Sequence, residues 1–270
     1  MPGLPKREKP KTSPCRSTSI SWPDWRRNTT SRFSLHLFYH PDPKAGVLSP
    51  EESRHVKTLR LRQGDAIELC DGHGSFFHAA ITKLDPHGTS VVIQKQVTAP
   101  GREYSIHLAI APTKNMDRME WMVEKCTEVG VNKISFIQCQ TSERKKLNLD
   151  RLFKIAVNAM KQSQQAWLPE LVGISELSKF LADCTEPDRF IANVDETNPH
   201  HLSAMAKPKG HYAILIGPEG DFVEHELDMA QGAGFVRTSL GPTRLRTETA
   251  GLYGVIALNM INNQSTSGRN

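Results

Sequence analysis

Two short loops near the end of the chain carry the residues best suited to bind a ligand. The first reads LIGPEGD over residues 215–221 and follows the apolar run 211–214. The second reads LGPTRLRTETA over residues 240–250, and it also leaves a short strand-like run and enters a helix-like pattern. Open α/β folds place their ligands at such strand-to-helix turns. We therefore expect the two loops to line one binding site.

Glycine and proline give these loops properties that suit close contact with a ligand. Gly217 and Gly220 permit backbone conformations closed to other residues, and they let a ligand approach the main chain. Pro218 and Pro242 stiffen the loops, so less conformational freedom is lost on binding. The competing interpretation is that both loops are only tight turns between strands and helices.

The residues around Gly217 do not fit the common phosphate-binding loops. A Walker loop requires G-x-x-x-x-G-K-[ST], and residues 217–222 hold no lysine or hydroxyl at the needed place. The three spaced glycines of a dinucleotide-binding loop after an early strand are also absent from the sequence. S-adenosylmethionine fits better, because its uncharged adenine needs a narrow apolar slot with backbone hydrogen-bond partners. Ile216, Gly217, Leu240 and Leu245 can supply such a slot.

The paired motifs LIGPEGDF…E and LGPTRLRTETA resemble the RsmE family, which methylates ribosomal RNA of the small subunit. The similarity extends over most of the chain, from residue 35 to residue 262. It implies the SPOUT fold, an α/β domain with a mainly parallel sheet and a C-terminal trefoil knot. It also implies transfer of a methyl group from S-adenosylmethionine to N3 of a uridine in 16S rRNA.

The resemblance assigns roles to residues of both loops. The implied cofactor-binding residues are Ile216, Gly217, Leu240, Gly241, Leu245, Arg246 and Thr247. Arg246 would stabilise the anion that develops on the uracil ring when N3 loses its proton. Glu248 would accept that proton, although an acid at a helix start is more often stabilised by the helix dipole. Glu219 has the same ambiguity, and we expect a structural role for it.

Length and composition describe an ordinary globular protein. The 270 residues can form one large domain or two modest ones, with 38% hydrophobic and 23% charged residues. The five cysteines are odd in number and form no C-x-x-C pair, which favours a reducing, cytoplasmic compartment. The formal charge is +5, but residues 1–33 carry +6, so the rest of the chain is nearly neutral. Only local clusters of charge can therefore indicate nucleic-acid binding.

Three regions follow from the pattern along the chain. Residues 1–33 are rich in Pro, Ser, Thr, Lys and Arg with no apolar period, which predicts a disordered basic tail. Residues 34–98 contain short strands around a D-G-H-G turn, which predicts a small β-barrel. The family resemblance makes this region a PUA-like RNA-binding domain. Residues 102–264 alternate strands with helices, which predicts the mainly parallel sheet of the methyltransferase domain.

The predicted PUA-like domain contains one cluster of cations in a helix that a capping box at Ser49–Glu52 begins. The cations are Arg54, Lys57, Arg60 and Arg62. They could follow the backbone of an RNA, and the alternative is a solvated helix face. The resemblance favours the RNA interpretation.

The predicted last helix is more apolar than one sheet can bury. Apolar residues between positions 250 and 260 cover more than one of its faces. Such surplus favours a homodimer, and the resemblance implies that the dimer builds the active site across its interface. The competing interpretation is that the helix is wholly buried within its own domain.

Two other functions remain open from the sequence. One is a SPOUT enzyme that methylates a ribose 2′-hydroxyl, and the other is an RNA-binding assembly factor without catalytic activity.

Q-Q-A-W-L-P at residues 164–169 departs from the common form of the family, and this departure concerns the RNA contacts. The partner expected is 16S rRNA or the small ribosomal subunit. No histidine pair has ligand spacing on one helix face, so we expect no metal, and no apolar run is long enough for a membrane span.

Overall fold

A four-stranded sheet and one helix form the first part of the described chain. The computed structural model describes residues 36–193 and 200–264, so the predicted tail 1–33 lies outside the described residues. The elements are β1 (Leu37–Tyr39), a 3-10 turn (Pro43–Ala45), α1 (Pro50–Thr58), β2 (Ala66–Cys70), β3 (Ser75–Lys83) and β4 (Ser90–Thr98). The strand order is β1-β2-β3-β4, with β1 parallel to β2 and antiparallel pairing elsewhere. The predicted small β-rich domain is confirmed, and its four strands are paired in one sheet.

A six-stranded parallel sheet organises the rest of the described chain. Its strands are β5 (Ser105–Ile110), β6 (Lys133–Gln138), β7 (Glu170–Glu176), β8 (Asp188–Ala192), β9 (His211–Ile216) and β10 (Val236–Thr238). The helices are α2 (Met116–Val129), α3 (Leu149–Gln162), α4 (Leu177–Asp183), α5 (Leu202–Met205), α6 (Glu224–Gly232) and α7 (Thr247–Gln264). The strand order is β10-β8-β9-β5-β6-β7, and every neighbouring pair is parallel. The predicted mainly parallel sheet is confirmed, and the predicted knot stays a prediction.

Helices cover both faces of this sheet, as continuous apolar strands require. One face packs α2, α3 and α7 against Leu108 and Ile110 on β5 and against Ile214 on β9. The opposite face packs α4 and α6 against Ala109, Ala213 and Leu215. Side chains alternate between these two cores along each strand, so β5 and β9 are buried on both sides.

Side-chain caps fix where the helices begin. Ser49 accepts a hydrogen bond from the Glu52 amide at 3.2 Å, and Asn115 and Asn148 cap α2 and α3 in the same way. The predicted capping box is only half formed, because Glu52 turns away from the helix start. One Glu52 carboxylate oxygen lies 2.6 Å from the Lys161 ammonium group instead.

The two sheets are joined through α3 and the turn between β2 and β3. Lys161 on α3 and Glu52 on α1 form a largely buried ion pair. Phe153 on α3 fits the apolar period of that helix, but it is 41% exposed and packs edge-on against Tyr39. The Gly74 amide donates to the Ala166 carbonyl at 2.8 Å. These contacts attach the small sheet to the parallel sheet at several points.

A buried hydrogen-bonded group lies on the face of the parallel sheet that packs α4. His107 Nδ1 is 2.6 Å from a Glu186 carboxylate oxygen, and its Nε2 is 2.7 Å from the Ser135 hydroxyl. A carboxylate can only accept a hydrogen bond, so His107 Nδ1 carries a hydrogen atom and donates a hydrogen bond to Glu186. Burial raises the pKa of Glu186, but the hydrogen bond and charge of His107 outweigh burial and lower the pKa to about 2.

The depressed pKa of Glu186 predicts a pH-dependent effect of Glu186→Gln on stability. The folded pKa of about 2 lies below the ordinary 4.5, so ionised Glu186 stabilises the fold above pH 4.5, and this contribution fades towards pH 2. We expect the variant to lose about 1.5 kcal/mol of unfolding free energy at pH 7, with solvent screening of the partly exposed carboxylate included. Urea titrations between pH 7 and pH 3 measure it. A deficit that grows as the pH falls would contradict the assignment.

Candidate active site

The carboxyl ends of all six parallel strands meet at one edge of the sheet, and the loops that follow β9 and β10 lie at that edge. Open parallel sheets bind ligands outside this edge. The two loops singled out in the sequence follow β9 and β10. The fold therefore brings them together, as predicted.

The loop after β9 is a tight turn closed on itself. The Asp221 amide donates to the Pro218 carbonyl at 2.9 Å, and Asp221 has a left-handed φ of 64°. Gly217 does not have a positive φ, so the predicted conformational reason for this glycine is wrong. A Cβ atom on Gly217 would lie only 3.0 Å from the Phe222 ring. The residue is glycine because Phe222 packs against its backbone.

In the loop after β10, conformation does require glycine. Gly241 has a φ of 121°, which residues with a side chain rarely adopt, and a Cβ atom there would meet open space. The Ser239 hydroxyl accepts a hydrogen bond from the Gly241 amide at 3.1 Å and fixes the turn. Downstream, α7 lies close to the sheet, because Gly251 and Gly254 face Ile110 and Ile214 without a side chain between them.

A cavity of about 640 Å³ lies between these loops, within the usual size range of small-molecule sites. Of the predicted cofactor-binding residues, those that line it are Ile216, Gly217, Leu240, Gly241, Leu245 and Thr247. Its wall also includes Asn193, which follows β8 directly. The Asn193 Oδ1 atom is buried and accepts no hydrogen bond from any described residue. The cavity thus combines an apolar slot, backbone amides and one acceptor that is free for a ligand.

The two predicted catalytic residues lie outside the wall of this cavity. Arg246 is exposed to solvent just before α7 begins. Glu248 is buried in the first turn of α7, where the helix dipole stabilises its charge. One oxygen of Glu248 lies 3.7 Å from Arg118 Nε, and the other has no hydrogen-bond partner among the described residues.

Arg118 on α2 connects the two loops, a role that was not predicted from the sequence. Its guanidinium lies 3.7 Å from the Glu248 carboxylate and 3.9 Å from the Glu219 carboxylate. Glu219 belongs to the loop after β9 and Glu248 follows the loop after β10. In the sequence, Arg118 stands in the segment K-N-M-D-R-M-E at residues 114–120, which resembles a segment of the family but assigns no role to this arginine.

The predicted RNA-binding cations lie on and just after α1. Arg54, Lys57, Arg60 and Arg62 are all exposed, and none forms an ion pair with another described residue. Glu52, on the opposite side of α1, faces Lys161. The helix thus directs its acidic side to the rest of the protein and its basic side to solvent.

No group of three or more potential metal ligands occurs in residues 36–193 and 200–264. Among the helices of these residues, none is long and apolar enough to cross a membrane.

Fold and site together define an α/β protein with a small-molecule site at the carboxyl edge of a parallel sheet. A small β-rich domain precedes this sheet in the chain. Residues 101–259 match the model of the RNA methyltransferase domain family, and residues 48–94 match that of the RNA methyltransferase PUA domain. The chain therefore belongs to the RNA methyltransferase domain family.

Relatives and solved structures agree with this assignment. The ribosomal RNA small subunit methyltransferase E of Bacillus subtilis is 27% identical over 226 residues, which span 78% of this chain and 88% of the relative. A crystal structure of a probable rRNA-methyltransferase from Porphyromonas gingivalis is 39% identical, with a TM-score of 0.80 over 86% of this chain and all of that chain.

One solved neighbour contains a ligand. It is the ribosomal RNA small subunit methyltransferase E of Neisseria gonorrhoeae bound to S-adenosyl methionine. It is 28% identical, with a TM-score of 0.75, over 84% of this chain and 98% of that chain. The expected family is thereby confirmed, and so is the expected α/β fold with a parallel sheet and a PUA-like domain; the knot stays a prediction.

Proposed function

We propose that this protein methylates N3 of a uridine in 16S rRNA of the small ribosomal subunit and uses S-adenosylmethionine as the methyl donor. The observation that carries the proposal is the cavity at the carboxyl edge, built from the two loops that also carry the family motifs. The relatives named for small-subunit rRNA methylation and the neighbour bound to S-adenosyl methionine support it.

The residues around the cavity fit S-adenosylmethionine. Ile216, Leu240 and Leu245 offer apolar surface for a planar adenine, and backbone groups of the Gly241 turn can recognise its edge. The buried Asn193 Oδ1 atom offers an acceptor for a hydroxyl or ammonium group. When bound, the cofactor supplies an electrophilic methyl group on a positively charged sulfur.

The chain's own residues must then prepare the uracil ring to attack. N3 of uridine carries a weakly acidic proton, so loss of that proton leaves an anion that a cation can stabilise. Arg246 is an exposed cation directly beside Leu245 and Thr247 of the cavity wall, and we assign this role to it. We retain Glu248 as the candidate proton acceptor. Its contact with Arg118 also suits a residue that positions the guanidinium group.

We also propose a homodimer formed through α7. Val255 and Leu258 are buried against the sheet, but Tyr253 is 38% exposed and Met260 is 55% exposed. Leu252 and Ile256 lie half-buried beside them. Leu252, Tyr253, Ile256 and Met260 form an apolar face with helical spacing, of the kind that a second copy of the chain would cover. The competing interpretation, a wholly buried helix, does not account for these exposed side chains.

Arg60 and Arg62 provide a test of the RNA surface on the small domain. We expect Arg60→Ala with Arg62→Ala to flatten the salt dependence of RNA binding by about 1.4 to 1.8 in the slope of log K against log salt, because two phosphate contacts disappear. Affinity for S-adenosylmethionine should not change. The control pair is Lys83→Ala with Lys95→Ala, two exposed cations of the same domain. If the two double variants give the same slope of log K against log salt, Arg60 and Arg62 belong to a solvated helix face and do not bind RNA.

The proposed reaction is tested on rRNA from cells with and without this protein. Mass spectrometry of the nucleosides should show 3-methyluridine only when the protein is present. Purified protein should restore it to deficient rRNA with S-adenosylmethionine. A 2′-O-methylated nucleoside would instead support the ribose-methylating alternative. Failure to bind S-adenosylmethionine in calorimetry would favour the RNA-binding assembly factor.

A further inference from the structure

A second cleft lies at the same edge of the parallel sheet, beyond the loops after β5 and β6. It measures about 500 Å³. Its lining residues are Lys114, Glu143, Arg144, Lys145 and Lys146. Four cations and one carboxylate leave it with an excess of positive charge, in a chain whose residues after the tail are nearly neutral. Nothing in the cofactor site uses these residues.

The cleft has a fixed frame. Arg144 Nε donates to the Thr113 carbonyl at 3.1 Å, and another guanidinium nitrogen of Arg144 donates to the Lys114 carbonyl. The Cys139 amide donates to the Ser142 hydroxyl at 2.9 Å. The loop after β6 is thereby tied to the loop after β5, so the charges around it are held at one place.

Two cations of the cleft remain available for a ligand. Lys145 and Lys146 are exposed and form no ion pair with any residue in the described part of the chain. Lys114 lies 3.2 Å from Glu143, but both side chains are more than half exposed, so this pair contributes little stability. An anion can therefore replace the pairing of Lys114 at small cost.

The cleft is next to the cofactor cavity. The Thr141 hydroxyl donates to the Asp221 carbonyl at 3.0 Å, and a Cβ atom on Gly220 would touch Thr141. The Gln140 amide donates to the buried Glu226 carboxylate at 2.7 Å. The loop that carries the basic residues thus packs directly on the loop that forms one wall of the cavity.

The cleft is also connected to the small domain. Helix α3 begins at Leu149, just after the basic loop, and its 14 residues span about 21 Å. Near its other end, Lys161 pairs with Glu52 on α1, the helix with the exposed Arg54 and Lys57. Helix α3 therefore connects the loop of the basic cleft to the helix that carries the cationic face.

We propose that Lys114, Arg144, Lys145 and Lys146 bind backbone phosphates of the substrate RNA. They would hold the strand that runs from the cationic face of α1 to the target base at the cavity. This inference rests on the proposed function, since it names the surface by which the same RNA reaches the site. Cations that converge on consecutive phosphates supply sequence-independent affinity and set the register of the strand.

The test is the double variant Lys145→Ala with Lys146→Ala, made in the full chain. The probe is 16S rRNA purified from cells that lack this protein, titrated over a range of salt concentrations. We expect the slope of log K against log salt to fall by about 1.4 to 1.8, because two phosphate contacts are removed. At low salt the RNA dissociation constant should rise about tenfold or more. The dissociation constant for S-adenosylmethionine should equal that of the wild type.

The matched control is Lys179→Ala with Lys207→Ala. Both lysines are exposed: Lys179 lies in the first turn of α4, just after β7, and Lys207 lies before the amino end of β9. Neither lysine lines the basic cleft or the cofactor cavity. The proposal predicts a wild-type slope for this control. It is overturned if the cleft variant keeps the wild-type slope, or if the control loses as much as the cleft variant.

This experiment separates the inference from the proposed function. If the wild type binds RNA but neither binds S-adenosylmethionine nor methylates the rRNA, the proposed function fails and the slopes still report on the cleft. If the wild type methylates and the cleft variant binds RNA unchanged, only the inference fails.

Discussion

Gly217→Val is expected to abolish binding of S-adenosylmethionine while the protein keeps its fold. Gly217 is buried at the end of β9 and lines the cavity. A Cβ atom there would lie 3.0 Å from the Phe222 ring and 3.3 Å from an Asp221 carboxylate oxygen. The two methyl groups of valine must therefore displace the ring or enter the cavity. Overpacking of this kind costs about 1 to 3 kcal/mol.

The expected loss of affinity is about 100-fold or more, which corresponds to about 2.7 kcal/mol. Calorimetry measures the dissociation constant, and circular dichroism with thermal unfolding checks the fold. Gly217→Ala provides a milder step at the same position, and its effect should be intermediate. If the valine variant unfolds, the affinity of the alanine variant for S-adenosylmethionine still tests the role of Gly217.

Gly220→Ala is the matched control in the same loop. A Cβ atom on Gly220 would meet Thr141 at 3.4 Å, an ordinary contact distance, and Gly220 does not line the cavity. Its affinity for S-adenosylmethionine should stay close to that of the wild type. Normal affinity in Gly217→Val would remove this loop from the cofactor site.

The sequence was sufficient to predict the strands, the helices and the ligand edge. The alternation of strands and helices predicted for residues 102–264 is observed, and local signals such as Asn115 and Gly130 cap α2. These features depend on neighbours in sequence: alternating or periodic apolar residues, an N-cap and a left-handed glycine. The adjacency of the two loops followed from a general property of parallel sheets, that all carboxyl ends lie at one edge.

Contacts between residues far apart in sequence could not be predicted in this way. Glu52 was expected to cap its own helix, but Lys161 lies 109 positions away and attracts its carboxylate. Phe153 fits the apolar period of α3, yet the position of the small domain gives it Tyr39 as a neighbour. The role of Arg118 depends on Glu219 and Glu248, which only the folded sheet brings to one place.

The basic cleft was missed for the same reason. Lys145 and Lys146 form a short charge run that is typical of a solvated loop. Only the folded structure shows that this run lines a cleft beside the cofactor site, because Arg144 ties the loop to Thr113 and Thr141 contacts the cofactor loop.

The second prediction of large effect concerns the position of Arg246. We expect Arg246→Ala to lower turnover by about 10²- to 10³-fold, the usual cost of losing a group that stabilises charge in the transition state. Affinity for S-adenosylmethionine should change much less, because Arg246 does not line the cavity of its own chain. A fall in affinity that accounts for the whole loss would make Arg246 a cofactor-binding residue instead.

Because Arg246 is exposed, two arrangements are open to it: it acts in the active site of its own chain or in that of a partner subunit. It lies just before α7, and the same helix carries the apolar face of Leu252, Tyr253, Ile256 and Met260. A two-fold dimer through that face would bring the start of each α7 near the partner subunit. Arg246 would then complete the site of the other chain, as the family resemblance implies.

Mixing two inactive variants decides between these arrangements. In a dimer of one Gly217→Val chain and one Arg246→Ala chain, a shared site leaves one of the two sites with both native residues. Random exchange gives mixed dimers for about half of the population, so about a quarter of wild-type activity should return. The mixture must be unfolded and refolded together, or coexpressed, so that chains exchange. Each variant alone, treated in the same way, is the control.

The outcomes separate the assembly from the shared site. Light scattering that gives a monomeric mass at micromolar concentration would refute the dimer, and with it any shared site. A dimer whose mixed variants recover no activity would confine Arg246 to its own chain. In that case the mixed dimers hold one site that lacks Gly217 and one that lacks Arg246, and neither can act. Recovery near a quarter requires Arg246 to cross the interface, because only then does a site with Gly217 also receive an arginine.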